Sequence, residues 1–321
     1  MSAKKKLLVL LPFEDTTKAR LTDGLKNSVV EFSSDESVSV EQVINADGII
    51  GNPPAEFCAA SKRLKWVQVS WAGVDRYTKS IIFPRNIILT NVTGAFGHAI
   101  SEHMVGCVFS LYKKLNLYRD NQNKSLWLDR GEVKSIEGSA VCILGLGDIG
   151  KAFAKRMKAL GCYIIGIKRR ASEKPDYVDE LYLSEMLDEV IPKCDIVAMA
   201  LPNTPETEFI MNRARIFSMK PGAVLINVGR GNAIDTDALC DALESGLLYG
   251  AALDVTSPEP LPSDHRLWKL ENAIITPHVS GFYHLRQTYD NIVSICIDNA
   301  FRFDSDLPLK NIIDMETGYC R

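Results

Sequence analysis

Val141-Cys142-Ile143-Leu144-Gly145-Leu146-Gly147-Asp148-Ile149-Gly150 decides the fold. Four consecutive apolar residues predict a strand buried on both faces. A Gly-x-Gly-x-x-Gly string follows at once, and residues 149–160 continue as a helical pattern closed by Gly161, a good C-cap. Residues 162–167 predict the next strand. The glycine string alone is weak evidence; between a strand and a helix it is a dinucleotide-binding fingerprint. Gly145 permits the tight turn, Gly147 lets the backbone approach a pyrophosphate, and Gly150 allows helix and strand to pack closely. Unbonded N–H groups at the helix start then face the phosphates.

The pattern repeats outward from this unit. Downstream, residues 196–201, 223–228, 249–253 and 273–276 predict strands, and a last amphipathic helix near 284–303 leads to a polar tail. Upstream, strands are predicted at 7–11, 29–32, 48–50, 66–69 and 86–89, with a helix over 21–26. Strand alternating with helix means a parallel, doubly wound α/β sheet. A long helical pattern over 99–118, its start marked by Gly94, Gly97 and Ser101, separates two such units.

Composition agrees. A length of 321 residues suits two domains, and 46% hydrophobic with 24% charged residues excludes a disordered chain. A net charge of -3 carries no global basic field, which argues against nucleic acid as a partner. No apolar run approaches the roughly 20 residues of a membrane helix. Lys4-Lys5-Lys6 before residues 7–13 read as the edge of a buried first strand rather than a leader. Eight scattered cysteines without a CxxC pair read as reduced core thiols of a cytoplasmic protein, and no metal-ligand spacing occurs.

About 20 residues beyond the fingerprint, an Asp or Glu would accept the ribose hydroxyls of NAD. This sequence has Lys168-Arg169-Arg170 there. A carboxylate repels a 2′-phosphate, whereas Arg or Lys binds one through charge-assisted hydrogen bonds. The expectation is NADP(H) over NAD(H), with Glu173 the alternative ribose partner.

Three further segments end predicted strands, where ligands bind in open α/β sheets. They are Asn227-Val228-Gly229-Arg230-Gly231, Asp254-Val255 leading to Pro258-Glu259-Pro260-Leu261, and Thr276-Pro277-His278-Val279-Ser280-Gly281. An Arg, a Glu and a His reach one sheet edge, a trio suited to reducing a 2-oxo acid. Arg230 can bind the substrate carboxylate and polarise the carbonyl. His278 can donate the proton as hydride arrives, and Glu259 would favour the protonated imidazole and fix its orientation.

In these motifs the sequence resembles the D-isomer-specific 2-hydroxyacid dehydrogenase family, which includes glyoxylate/hydroxypyruvate reductases and phosphoglycerate dehydrogenases. The likeness runs from about residue 45 to the C-terminus and adds Gly73-Val74-Asp75, Leu201-Pro202, Thr204-Pro205-Glu206-Thr207 and Ala252-Leu253-Asp254-Val255 in family order. It implies two Rossmann-like doubly wound domains separated by a cleft: 1–98, completed by 287–321, as the substrate domain and 99–286 for the dinucleotide. By the same likeness the family's Arg, Glu and His roles fall on Arg230, Glu259 and His278. Cofactor contacts fall on Leu146, Gly147, Asp148, Ile149, Pro202, Val228, Gly229, Arg230 and Asp254, the last holding the nicotinamide carboxamide. Trp71, Ala72 and Gly73, with Val74, become the substrate-carboxylate loop, and a homodimer forms through the helix near Ala99 and its following segment. Two alternatives stay open: 3-phosphoglycerate as substrate, with Arg76 the only cation placed near the carboxylate loop, and a dinucleotide-sensing corepressor that keeps the triad.

Departures mark where specificity is open. Trp71 is bulky where many relatives carry a smaller residue, and reads equally as pocket wall or core. Phe282-Tyr283-His284 replaces the acidic helix start expected after the catalytic loop. Of the other histidines, His103 reads as structural, His265 as a surface or capping residue, and His98 as a loop residue near the substrate.

Overall fold

The computed structural model describes residues 4–320; residues 1–3 and 321, which the expected domain ranges include, lie outside the described residues. The chain forms two compact units, one from residues 1–95 with 285–321 and one from 96–284.

The first unit is a five-stranded parallel sheet. Its strands are β1 (Lys5–Val9), β2 (Ser28–Phe32), β3 (Gly48–Ile50), β4 (Trp66–Gln68) and β5 (Ile88–Thr90), in the order β2-β1-β3-β4-β5. Leu7, Leu8 and Val9 are almost wholly buried, as continuous apolar runs in two-faced sheets are. Ser39 and Gln42 form a capping box that starts the Val40–Asn45 helix. The final helix, Arg286–Asp304, belongs to this unit for a polar reason as well as an apolar one. Buried Asn299 bonds Gln68 Oε1 at 2.7 Å, and the Asp304 carboxylate accepts the Lys26 and Asn27 N–H groups at 3.1 and 2.9 Å.

The second unit holds seven parallel strands: β6 (Ala140–Leu144), β7 (Tyr163–Lys168), β8 (Glu180–Leu183), β9 (Ile196–Met199), β10 (Val224–Asn227), β11 (Gly250–Leu253) and β12 (Ala273–Ile275). Their order is β12-β11-β10-β9-β6-β7-β8, which reverses between β6 and β9. That reversal is the point where open α/β sheets bind ligands. The helix Asp148–Ala159 buries Phe153, Ala154 and Met157. Gly161 closes it as expected, at φ +82°, with Gly161 N–H on Lys158 O and Cys162 N–H on Met157 O, a Schellman motif.

Two features differ from the sequence reading. Edge strand β8 was not foreseen: its apolar stretch, Leu181-Tyr182-Leu183, is short, and three of its four residues are only half-buried and the fourth is exposed. The helical pattern over 99–118 is two helices, Gly97–Tyr112 and Leu115–Asn123, broken at Lys114 with φ +57°. A left-handed lysine costs about 1–2 kcal/mol. The break is held by Lys113 Nζ on Lys134 O and Lys114 Nζ on Arg130 O, two contacts the local pattern cannot foretell. Among the described residues no helix is long and apolar enough to cross a membrane.

Candidate active site

β6 runs straight into the fingerprint turn. Gly145 has φ +94°, and a Cβ there would lie 2.8 Å from Ala200 O. A Cβ on Gly150 would lie 2.0 Å from Gly145 O, so only glycine lets the helix sit this close to its strand. At Gly147 a Cβ would meet nothing within 4 Å, and this residue starts the helix without a side-chain cap. The turn therefore presents open backbone where a pyrophosphate would lie. Leu146 buries its side chain toward Gly166 of β7, leaving its backbone at the turn. Asp148, a carboxylate in a phosphate-binding turn, faces elsewhere: its Oδ2 accepts the Gly97 N–H at 2.9 Å and so caps the Gly97–Tyr112 helix. Ser101, expected to mark that helix start, instead bonds back to Gly97 O and His98 O.

Flanking this turn, Pro202 follows β9. Thr207 Oγ1 donates to Pro202 O at 2.7 Å and accepts the Thr204 N–H at 2.9 Å, locking residues 202–207. Across the turn, β7 ends in half-buried Lys168 and exposed Arg169 and Arg170. Lys168 Nζ donates to Ser172 Oγ at 2.6 Å. The Thr204 hydroxyl, the Glu206 N–H and the charge of Arg169 hold the Glu206 carboxyl below the usual range, so the basic turn and the 202–207 loop are within electrostatic reach of each other.

Arg230, Glu259 and His278 follow β10, β11 and β12, three successive neighbours in the sheet. Buried Asn227 shapes the first turn: its Nδ2 donates to Arg230 O at 2.8 Å and its Oδ1 accepts the Gly229 N–H at 3.0 Å. Half-buried Arg230 sends Nη1 to Gly229 O. A Cβ on Gly229 would stand 2.6 Å from Leu201 O, and one on Gly231 only 1.9 Å from Thr256 O. These two glycines let the loops after β9, β10 and β11 touch.

His278 Nδ1 and Glu259 Oε1 are 2.6 Å apart, with both side chains close to half-exposed. His278 has φ +53°, a conformation that non-glycine residues adopt only when the surroundings hold it. The holding group is Asp254. Its backbone O accepts the His278 N–H at 2.8 Å. Its carboxylate, 2% exposed, accepts from Thr276 Oγ1 at 2.6 Å, Val279 N at 3.0 Å, Ser280 N at 3.1 Å and Ser280 Oγ. The family likeness gives Asp254 to the cofactor carboxamide; here both its oxygens are turned to the loop that carries His278.

Trp71, Ala72 and Gly73 lie in the other unit, after β4. Trp71 is 55% exposed, which removes the core reading. Asn52 braces Ser70 through Nδ2 to Ser70 Oγ at 2.9 Å, and Asn91 Nδ2 donates to Ala72 O at 2.7 Å. His98, expected in a loop, lies in the first turn of the Gly97–Tyr112 helix, where it meets Glu102 at 2.9 Å and Arg156 at 3.0 Å. His265 caps a 3-10 turn through Leu267 N–H, and His284 stacks on Phe282. Sequence reasoning passed over Asn227, Thr276 and Ser280 as individual actors; their signal was only membership in the quoted motifs.

Residues 105–280 match the family model described as D-isomer specific 2-hydroxyacid dehydrogenase, NAD binding domain. A glyoxylate reductase of Thermofilum pendens is 33% identical over 71% of this chain and 68% of its own. The structure of a D-isomer specific 2-hydroxyacid dehydrogenase family protein from Aeromonas salmonicida superposes with a TM-score of 0.85 at 33% identity, covering 97% of this chain and 99% of the other. An NADPH-dependent glyoxylate/hydroxypyruvate reductase from Sinorhizobium meliloti, solved with NADP and sulfate, gives a TM-score of 0.80 at 26% identity over 98% and 100% of the two chains.

Proposed function

This chain belongs to the D-isomer specific 2-hydroxyacid dehydrogenases, oxidoreductases acting on CH–OH groups with NAD(P), and from that premise we propose that it reduces a small 2-oxo acid to the D-2-hydroxy acid with NADPH. The turn at Gly145–Gly150 suits a dinucleotide: Gly147 leaves room beside it, and a Cβ on Gly145 or Gly150 would clash with Ala200 O or Gly145 O and distort the turn. Leu146, Gly147, Asp148 and Ile149 would hold the pyrophosphate through backbone N–H groups, with Pro202 and Val228 to Arg230 beside the nicotinamide and Lys168, Arg169 and Arg170 at the adenosine end. Bound there, the dinucleotide supplies a hydride, two electrons and one hydrogen, to the carbonyl carbon.

The chain supplies everything else. Arg230 pairs with the substrate carboxylate and draws electron density toward the carbonyl oxygen. His278 delivers the proton. The observation that carries this reading is the 2.6 Å contact between Nδ1 and Glu259, because it commits that nitrogen and leaves Nε2 to face the carbonyl oxygen. Proton transfer from Nε2 to that oxygen leaves a neutral imidazole, and Glu259 keeps the ring oriented throughout. By the family likeness, Trp71, Ala72 and Gly73 are the loop that would bind the substrate carboxylate.

Lys168 to Arg170, with no carboxylate at the strand end, support NADPH over NADH. Exposed Leu126, Trp127 and Leu128, after the Leu115–Asn123 helix, support a homodimer through that segment. Seven buried free thiols support a cytoplasmic setting. Steady-state rates with glyoxylate, hydroxypyruvate, pyruvate, branched 2-oxo acids and 3-phosphoglycerate, each with both cofactors, test the reading. It predicts turnover of a small 2-oxo acid with NADPH preferred; turnover of none, or of 3-phosphoglycerate alone, contradicts it.

A further inference from the structure

His103 lies in the Gly97–Tyr112 helix, and nothing in the mechanism above uses it. Its Nε2 stands 3.4 Å from Thr276 Oγ1 and 3.5 Å from the sulfur of Cys107, one turn further along. Thr276 owns a single hydroxyl proton, and the 2.6 Å contact with Asp254 Oδ1 consumes it. The Thr276 oxygen can then only accept from His103, which requires a proton on Nε2. Cys107 fits this direction. Burial, and then the charge of Asp254, push its thiol up to about 12, so it carries no charge to compete for that N–H, and its sulfur can take a weak share of it.

A donor chain results: His103 Nε2–H to Thr276, Thr276 O–H to the Asp254 carboxylate. The same oxygen, Oδ1, also takes the Val279 N–H, and Oδ2 takes both donors of Ser280, the residues that follow left-handed His278. A buried carboxylate is tolerable only with its lone pairs filled, and donor chains strengthen one another.

We propose that His103 is a positioning residue that acts through Thr276 and Asp254 to hold the 278–280 loop, and so to aim His278. This rests on His278 being the proton donor. Without the His103 donor the Thr276 hydroxyl is free to rotate off Asp254, and the carboxylate loses its fixed orientation. The strained loop it restrains then drifts. A misplacement of about 1 Å at a reacting group costs up to about 100-fold in rate, and a partial loosening costs less.

The test uses the whole enzyme with NADPH and glyoxylate, and compares His103→Leu, His103→Asn, His103→Gln, Thr276→Val, the double variant His103→Leu with Thr276→Val, and His278→Ala. The side-chain amide of Gln can place an N–H near the Nε2 position; that of Asn falls short of it. Expected are a roughly tenfold loss of kcat with KM within twofold for His103→Leu and His103→Asn, and recovery of most of it in His103→Gln. The double variant should be no slower than Thr276→Val alone. Near-normal kcat in His103→Leu, or in His103→Asn where the Leu variant does not fold, overturns the proposal. So does an equal loss in the Gln variant, or losses that multiply in the double variant. Full activity in His278→Ala instead overturns the reading of His278 itself.

Discussion

Gly231→Ala puts the active-site construction to a quantitative test. Gly231 follows Arg230, and a Cβ there would stand 1.9 Å from Thr256 O. A carbon and a carbonyl oxygen approach to about 3.3 Å at closest, so the loops after β10 and β11 must separate by about 1.4 Å. The atom in the way is backbone on the far side, so no side-chain rotation relieves the clash. One loop carries Arg230 and the other carries Glu259. A displacement of that size at either group predicts a loss of about 100-fold in kcat/KM. The strain also costs about 1–3 kcal/mol of stability, as overpacking does. The fingerprint turn is built from other strands, whereas Val228 to Arg230 would lie beside the nicotinamide, so NADPH affinity, read by nucleotide fluorescence on titration, should fall by far less than kcat/KM. Kinetics and thermal melts of the purified variant, with that titration as control, decide the matter. Activity within threefold of wild type would show that contact between these two loops is not what aligns the trio.

Further predictions concern the cofactor and the subunit interface. Arg169→Ala combined with Arg170→Ala should weaken NADPH binding about tenfold and leave NADH binding unchanged, measured by parallel titrations. Equal losses for both cofactors would mean the turn does not read the 2′-phosphate. Glu206→Gln removes a carboxylate within electrostatic reach of Arg169, so it should tighten NADPH binding about twofold with no effect on NADH. Trp127→Ser deletes the most exposed aromatic ring of the apolar segment, and sedimentation should show a dimer shifted toward monomer. An unchanged sedimentation profile would place the interface elsewhere.

Much of this architecture was legible because parallel strands buried on both faces write themselves as apolar runs. Val141 to Leu144 and the glycines after it located β6, its turn and its helix with boundaries within one residue. β8 was missed, since Leu181-Tyr182-Leu183 is a short run and an edge strand of half-buried residues gives it no longer one. The break at Lys114 was silent because its anchors, Arg130 and Lys134, lie well along the chain and bind through backbone oxygens. In the site, His278 and Glu259 were nameable from their motifs because an imidazole and a carboxylate are residue types suited to moving a proton, and the structure brings them together at 2.6 Å. The work of Asp254 was not: its partners come 22 to 26 residues later, and three of its bonds come from Val279 and Ser280, whose side-chain types announce no such role. Asp148 gives a similar lesson. A carboxylate inside a phosphate-binding string looks misplaced until Gly97 brings a helix start against it.

The central claim is that the imidazole of His278, held by Glu259, delivers the proton. Its most direct test is the kcat of His278→Ala for a 2-oxo acid that the wild type reduces, with the NADPH dissociation constant measured on the same preparation. If His278 is the proton donor, kcat falls at least about 100-fold, the ordinary worth of a general acid, with NADPH affinity within twofold. A kcat within tenfold of wild type on every acid tested would contradict it.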